Sequence, residues 1–211
     1  MAGRHGQIRI IGGLLKRTPI NVAQAVASMR PTPDRVRETL FNWLGRRVDG
    51  AHCLDLFAGS GALGLEAASR GAGSVLFVEK NGRAAKMLDE RIGSLTAATD
   101  PAVRAIAARL RVTHGDALAA LARSQQRGQR FDLLFLDPPF SEDWLGRLLP
   151  AVAPVLAEQA LIYLESAAEI TELTAAGGAG VAPLFAERIR HARAGQVHYH
   201  LFERQSSPSG S

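Results

Sequence analysis

The stretch LDLFAGSGALGLE, residues 54–66, decides how the rest of the chain is read. It begins as an apolar strand, ends as an alanine- and leucine-rich helix, and places Gly59, Gly61 and Gly64 between them in a G-x-G-x-x-G spacing. Glycines at such a turn let the backbone come close to a ligand at the helix N-terminus, in the crevice of an open α/β sheet. The spacing alone suits a nicotinamide dinucleotide equally well. Asp55, on the strand four residues before Gly59, tilts the balance. A carboxylate there can face a cationic or amine-bearing ligand such as an amino acid moiety, and it would repel a pyrophosphate. That favours S-adenosylmethionine.

Outward from this turn the chain alternates short apolar runs with amphipathic segments: HCLDLF, GLEAASRG, SVLFVEK, RAAKMLDERIGSL, LRVTHGD and FDLLFLD. Near-continuous apolar strands in a βαβαβ rhythm indicate a parallel sheet covered by helices. ALIYLES reads as a fifth strand. FAERIRHA and VHYHLFER read as two strands joined around Ala194-Gly195, an antiparallel hairpin expected at the sheet edge. The stretches near 94–109 and 175–182 are expected to be helical or loop insertions, and the tail, 205–211, disordered. At the end of the second strand, Glu79 is placed to bind the ribose hydroxyls of an adenosine in either kind of nucleotide site. Asp116, in HGDAL, lies where it can accept from an adenine amino group, cap the following helix, or do both.

The fourth strand ends in DPPF. A residue before proline is held extended and proline has no N–H, so Asp137, Pro138 and Pro139 form a stiff edge with acceptors and no donors. The Asp137 carboxylate and the Pro138 carbonyl suit an exocyclic NH₂ of a base, and Phe140 offers a ring on which a base can stack. Accepting hydrogen bonds from that amine draws its delocalised lone pair towards attack, and Asp137 can take the released proton late.

The 211 residues, with a formal net charge of +5, suffice for one well-packed domain plus a small appendage. The charge is uneven. Residues 1–50 hold nine Lys or Arg against three acids, and the rest sixteen against seventeen. An excess confined to one end is how a polyanion footprint is distributed. It covers QIRIIGGLLKRTPI, read as a basic hairpin turning at Gly12-Gly13, and makes Arg4, Arg9, Lys16, Arg17 and Arg35 candidate contacts for a polyanion such as RNA; a solvated basic face with no partner is the alternative. A helix follows, with Thr32 able to cap, Pro33 at its first position and Val36, Leu40, Trp43 and Leu44 on its buried face; Arg35, Arg37 and Glu38 fall largely away from it. Neither a membrane span nor a secretory leader is expected, and the cytoplasm is the expected compartment. Cys53, inside an apolar run, is expected to be a buried structural thiol. His5, His114, His191, His198 and His200 have no spacing that makes a metal site, so none is expected.

Together RIIGG, RPTPDRVRETLFNWL, CLDLFAGSGALGLEA, DPPF, ALIYLES and AGQVHYHLFER resemble the bacterial 16S ribosomal RNA guanine-N2 methyltransferases, the RsmD family, from about Gln7 to Arg204. The resemblance implies a class I, Rossmann-like methyltransferase over 31–204. Its sheet is expected to be seven-stranded and mostly parallel with an antiparallel last strand, preceded by a hairpin extension over 1–30. It implies S-adenosylmethionine as donor, S-adenosylhomocysteine as product, and a guanine amine as acceptor. The expected partner is the 16S rRNA of the small subunit or its assembly intermediate, and the chain is expected to act as a monomer. Asp55, Phe57, Ala58, Gly59, Ser60 and Gly61 would border the methionine end, joined there by Arg30 and Thr32. Glu79 and Lys80 would meet the ribose, Asp116 and Ala117 the adenine, and Asp137 to Phe140 the target base. Three rivals remain. A DNA adenine-N6 methyltransferase uses similar DPPF-type motifs but needs a recognition domain for which 211 residues leave little room. A dinucleotide oxidoreductase leaves DPPF and the basic hairpin unexplained. A silent RNA-binding factor needs no Asp55, Glu79 and Asp137 together.

Overall fold

Short-range chemistry explains where most elements start and stop. The structure, a computed structural model, describes residues 7–21, 32–139, 144–175 and 184–205. It divides into two compact units, Met1–Asp116 and Ala117–Ser211; Arg4, Arg30, Phe140 and most of the tail lie outside the described residues.

In the first unit, β1 (Gln7–Arg9) pairs antiparallel with β2 (Pro19–Asn21). The hairpin does not turn at Gly12-Gly13 as its sequence suggests. Residues 10–18 form a longer loop, in which Leu14 N donates to Ser69 O at 2.8 Å and Leu15 N to Ser69 Oγ at 2.9 Å. Gly13 is required by this docking. Its φ is +72°, and a Cβ would collide with the Ser69 carbonyl.

Helix α1 (Asp34–Leu44) begins one residue later than the sequence suggests, with Pro33 in the cap position and no side-chain cap. Its buried stripe is Val36, Arg37, Leu40, Phe41 and Leu44, with Trp43 at the edge. Arg37 is thus the reverse of the expectation: it is wholly buried. A cation can be buried only with partners, and Arg37 reaches Arg9 O at 2.9 Å, the Asp34 carboxylate, and Glu66 at 3.6 Å.

β3 (His52–Asp55), α2 (Ala62–Ser69), β4 (Ser74–Glu79), α3 (Gly82–Thr96), α4 (Pro101–Ala107) and β5 (Leu110–His114) complete the unit. The three strands are parallel in the order β5-β4-β3. Asn81 caps α3 by accepting from Arg83 N and Ala84 N, and Asp100 caps α4 ahead of Pro101. Each such cap is worth about 1 kcal/mol. The alanine-rich stretch near 94–109, expected as a helical or loop insertion, holds the end of α3 and the short helix α4, which ends before β5.

The second unit holds α5 (Ala117–Gln126), β6 (Phe131–Leu136), α6 (Trp144–Val152), β7 (Leu156–Ser166), β8 (Glu172–Ala175), β9 (Leu184–Ala194) and β10 (Val197–Arg204). Strand order is β6-β7-β10-β9-β8, with β6 parallel to β7 and the other pairs antiparallel. Besides the N-terminal hairpin there are thus eight strands among the described residues, not seven, and three of them run antiparallel to their neighbours. The β9–β10 hairpin exists, but β8 covers β9, so the hairpin does not form the edge. No described helix is long and apolar enough to cross a membrane.

Candidate active site

The glycine turn is held from below by two carboxylates. Asp55, at the end of β3, is 3% exposed, and its Oδ2 accepts from Gly64 N at 3.1 Å. Gly64 packs where a Cβ would overlap the Phe77 ring and Val75, so α2 lies close against β4. Burial and the nearby Glu79 charge raise the Asp55 carboxyl to about 7, against the pull of the Gly64 and Phe57 amides. Glu79, also buried, accepts from Gly59 N at 2.7 Å through Oε2 and from Asn81 N at 2.6 Å through Oε1. One side chain thereby pins the glycine turn to the loop after β4.

Asp116 follows β5, whose His114 pairs with Glu79, and Gly115 N donates to Glu79 O at 2.9 Å. The fold therefore brings Asp55, Gly59, Glu79 and Asp116 to the carboxyl ends of neighbouring strands. Phe57 and Ser60 are half-buried, Ala58 and Gly61 buried, and Lys80 exposed. Thr32 is buried ahead of α1, and Ala117 opens α5.

In the second unit β6 carries Asp137, half-buried, then buried Pro138 and exposed Pro139. On β7, paired with β6, Tyr163 donates to Glu165 Oε1 at 2.8 Å. Burial, Glu165, Asp137 and Tyr199 push the Tyr163 hydroxyl well above its ordinary range, so it stays a proton donor beside two carboxylates. Neither Tyr163 nor Glu165 was marked by the sequence reading, which took ALIYLES only as a strand; the i, i+2 spacing of a Tyr and a Glu was the available signal.

The sequence also gave no notice of Glu66. Its buried carboxylate accepts from Ile11 N at 2.7 Å, Gly12 N at 2.8 Å and Arg70 Nε at 2.7 Å, beside Arg37. This hub on α2 fastens the loop of the basic hairpin to the helix that the glycine turn opens. Arg9, Lys16, Arg17 and Arg35 remain exposed, so docking buries the backbone of the extension and leaves its charges in solvent.

A family model described as conserved hypothetical protein 95 matches residues 8–203. The chain is 38% identical, over 203 residues, to the ribosomal RNA small subunit methyltransferase D of Escherichia coli, covering 95% of this chain and 92% of that one. The solved structure of the Escherichia coli protein yhhF, assigned as a methyltransferase, superposes with a TM-score of 0.74 at 37% identity, covering 96% of this chain and all of that one. A methyltransferase-type structure in complex with SAH shares the fold at a TM-score of 0.59 and 13% identity, covering 80% of this chain and 48% of the other. A buried glycine-turn scaffold, an Asp-Pro-Pro strand end and similarity along nearly the whole length converge, and the chain belongs to the RsmD family of small-subunit ribosomal RNA methyltransferases.

Proposed function

We propose that this protein transfers the methyl group of S-adenosylmethionine to the N2 amine of a guanine in the 16S rRNA of the small ribosomal subunit. The observation that carries the reading is 38% identity to an rRNA small subunit methyltransferase over 95% of the chain. Asp55, with Phe57, Ala58, Gly59, Ser60, Gly61, Arg30 and Thr32, takes the methionine end of the donor. Glu79 and Lys80 take the ribose. The Glu79 oxygens already accept two amides, but a carboxylate has about four lone-pair sites, which leaves room for a ribose hydroxyl. Asp116 and Ala117 take the adenine.

Asp137 and the Pro138 carbonyl accept from the guanine amine, which Phe140 helps hold by stacking. The N2 lone pair attacks the methyl carbon, the S–C bond breaks, S-adenosylhomocysteine leaves, and N2 loses one proton to Asp137. Most of the acceleration is positional, since the sulfonium needs no activation. Arg4, Arg9, Lys16, Arg17 and Arg35 supply the electrostatic hold on RNA. The protein acts in the cytoplasm, as a monomer, on the subunit or its assembly intermediate.

Calorimetry with S-adenosylmethionine and with NAD tests the donor assignment. Binding of the first and none of the second is expected; the reverse would mean a dinucleotide enzyme.

A further inference from the structure

We propose that His191, His198 and His200 form a binding site for a borderline divalent cation of the zinc class, which clips β9 to β10. One ring nitrogen from each of the three lies within 4.8 Å of the others. Their separation in sequence hides this, because β9 and β10 bring them together: His191 is the direct strand partner of His200, and His198 shares its face.

Two of the three rings have a carboxylate or carbonyl near the nitrogen that would face away from a metal. Metal-bound histidine usually donates its other ring N–H to a carboxylate or backbone carbonyl. His191 Nδ1 lies 3.7 Å from Glu169 Oε1, and that carboxylate is fixed by Arg188 Nη1 at 2.6 Å. His200 Nδ1 lies 3.3 Å from the Leu164 carbonyl, while its Nε2 accepts from Ile170 N at 3.0 Å. That pairing makes Nδ1 the protonated nitrogen and puts the Nε2 lone pair on the Ile170 amide, which a metal would have to displace.

The third feature is the contact between His191 and His198. Their nitrogens Nε2 and Nδ1 are 3.0 Å apart, the rings are inclined by only 7°, and their centroids are 5.2 Å apart. The rings therefore meet edge to edge along the N···N line. Such a pair is held by one N–H···N hydrogen bond, whose proton a divalent cation can replace. Zinc bonded at about 2.0–2.1 Å to each would need the nitrogens about 3.3 Å apart in tetrahedral geometry. The nitrogens must part by a few tenths of an ångström, and each ring must tilt by about 35° to turn its lone pair from the N···N line to the metal. His200 Nε2 exchanges the Ile170 amide for the metal, and water completes the set. All-imidazole donors select zinc, cobalt or nickel over magnesium or calcium.

The site is independent of the methyl-transfer reading. Its test uses untagged, full-length protein stripped with chelator and dialysed against zinc chloride alone. One zinc per chain, with dissociation at about 10 µM or below, and a tetrahedral visible spectrum with cobalt are expected. His198→Gln should weaken zinc at least tenfold, and Glu169→Gln about tenfold, the effect of losing an orienting carboxylate. Should a variant fail to fold, imidazole ¹⁵N resonances of the wild-type protein decide: zinc must shift those of His191, His198 and His200. Substoichiometric binding, or shifts confined to other histidines, would overturn the proposal.

Discussion

The ends of β3 and β6 each present an aspartate, and the two are built in opposite ways. Asp55 is 3% exposed, hydrogen-bonded to the amide of a buried helix and held half-neutral near pH 7 by its surroundings. Asp137 is half-buried and followed by two prolines that offer it no amide from the next residues. The difference suits the two tasks proposed for them. A carboxylate kept dry costs stability that an arriving cation restores, which fits the binding role proposed for Asp55. A carboxylate followed by a stiff pair of prolines can accept a proton from an amine, which fits the turnover role proposed for Asp137.

The comparison breaks first at Asp137. Asp137→Ala is expected to lower single-turnover methyl transfer by about 10³-fold, within the range for a lost general base, while donor affinity measured by calorimetry changes only a few-fold. Retained turnover would remove Asp137 from the chemistry.

Next in size is the scaffold on the Asp55 side. Glu66→Ala leaves two amides and Arg70 Nε without their acceptor and removes an ion-pair partner of buried Arg37, and breaking a buried ion pair costs about 3–5 kcal/mol. Urea denaturation should show that loss, whereas removing the exposed Lys86–Glu90 pair should cost under about 1 kcal/mol. Similar costs for the two would mean that Glu66 is no hub.

Asp55→Asn sharpens the contrast further. The folded-state pKa of Asp55 lies near 7, above its ordinary 3.8, so the folded form retains a proton that the unfolded chain has lost. Asp55 therefore makes stability fall as pH rises from about 4 to about 7, with the full penalty above that. The Asn variant should be more stable than wild type at pH 8 and show a flatter profile below it. In wild type, donor affinity should rise between pH 6 and about 7.5 as the carboxylate ionises, and the variant should bind about tenfold more weakly without that rise. A pH-independent wild-type affinity would show that Asp55 does not meet the donor's cation.

The smallest effect is expected at the extension. Neutralising Arg9, Lys16 and Arg17 should reduce the salt slope of RNA binding by about 2–3, near 0.7–0.9 per phosphate contact, with donor affinity unchanged. An unaltered slope would place the RNA elsewhere.

The glycine turn, the strand rhythm and the Asp-Pro-Pro edge were legible because each is a local constraint on backbone: φ freedom, apolar continuity, missing N–H groups. Arg37 and Glu66 were illegible for the opposite reason. A charged residue on a helix reads as solvent-facing until another segment lies over it, and here that segment is a loop more than fifty residues away from Glu66. Strand β8 is only four residues long, and its place is set by pairing with β9 rather than by its own pattern. The three histidines meet only through strand register.

The central claim is the identity of the methylated atom. Protein incubated with isotope-labelled S-adenosylmethionine and small subunits, naked 16S rRNA or DNA, followed by nuclease digestion and mass analysis of the nucleosides, tests it directly. The account predicts label in N2-methylguanosine from one position of 16S rRNA. Label in N6-methyladenine of DNA, or no label in RNA, would contradict it.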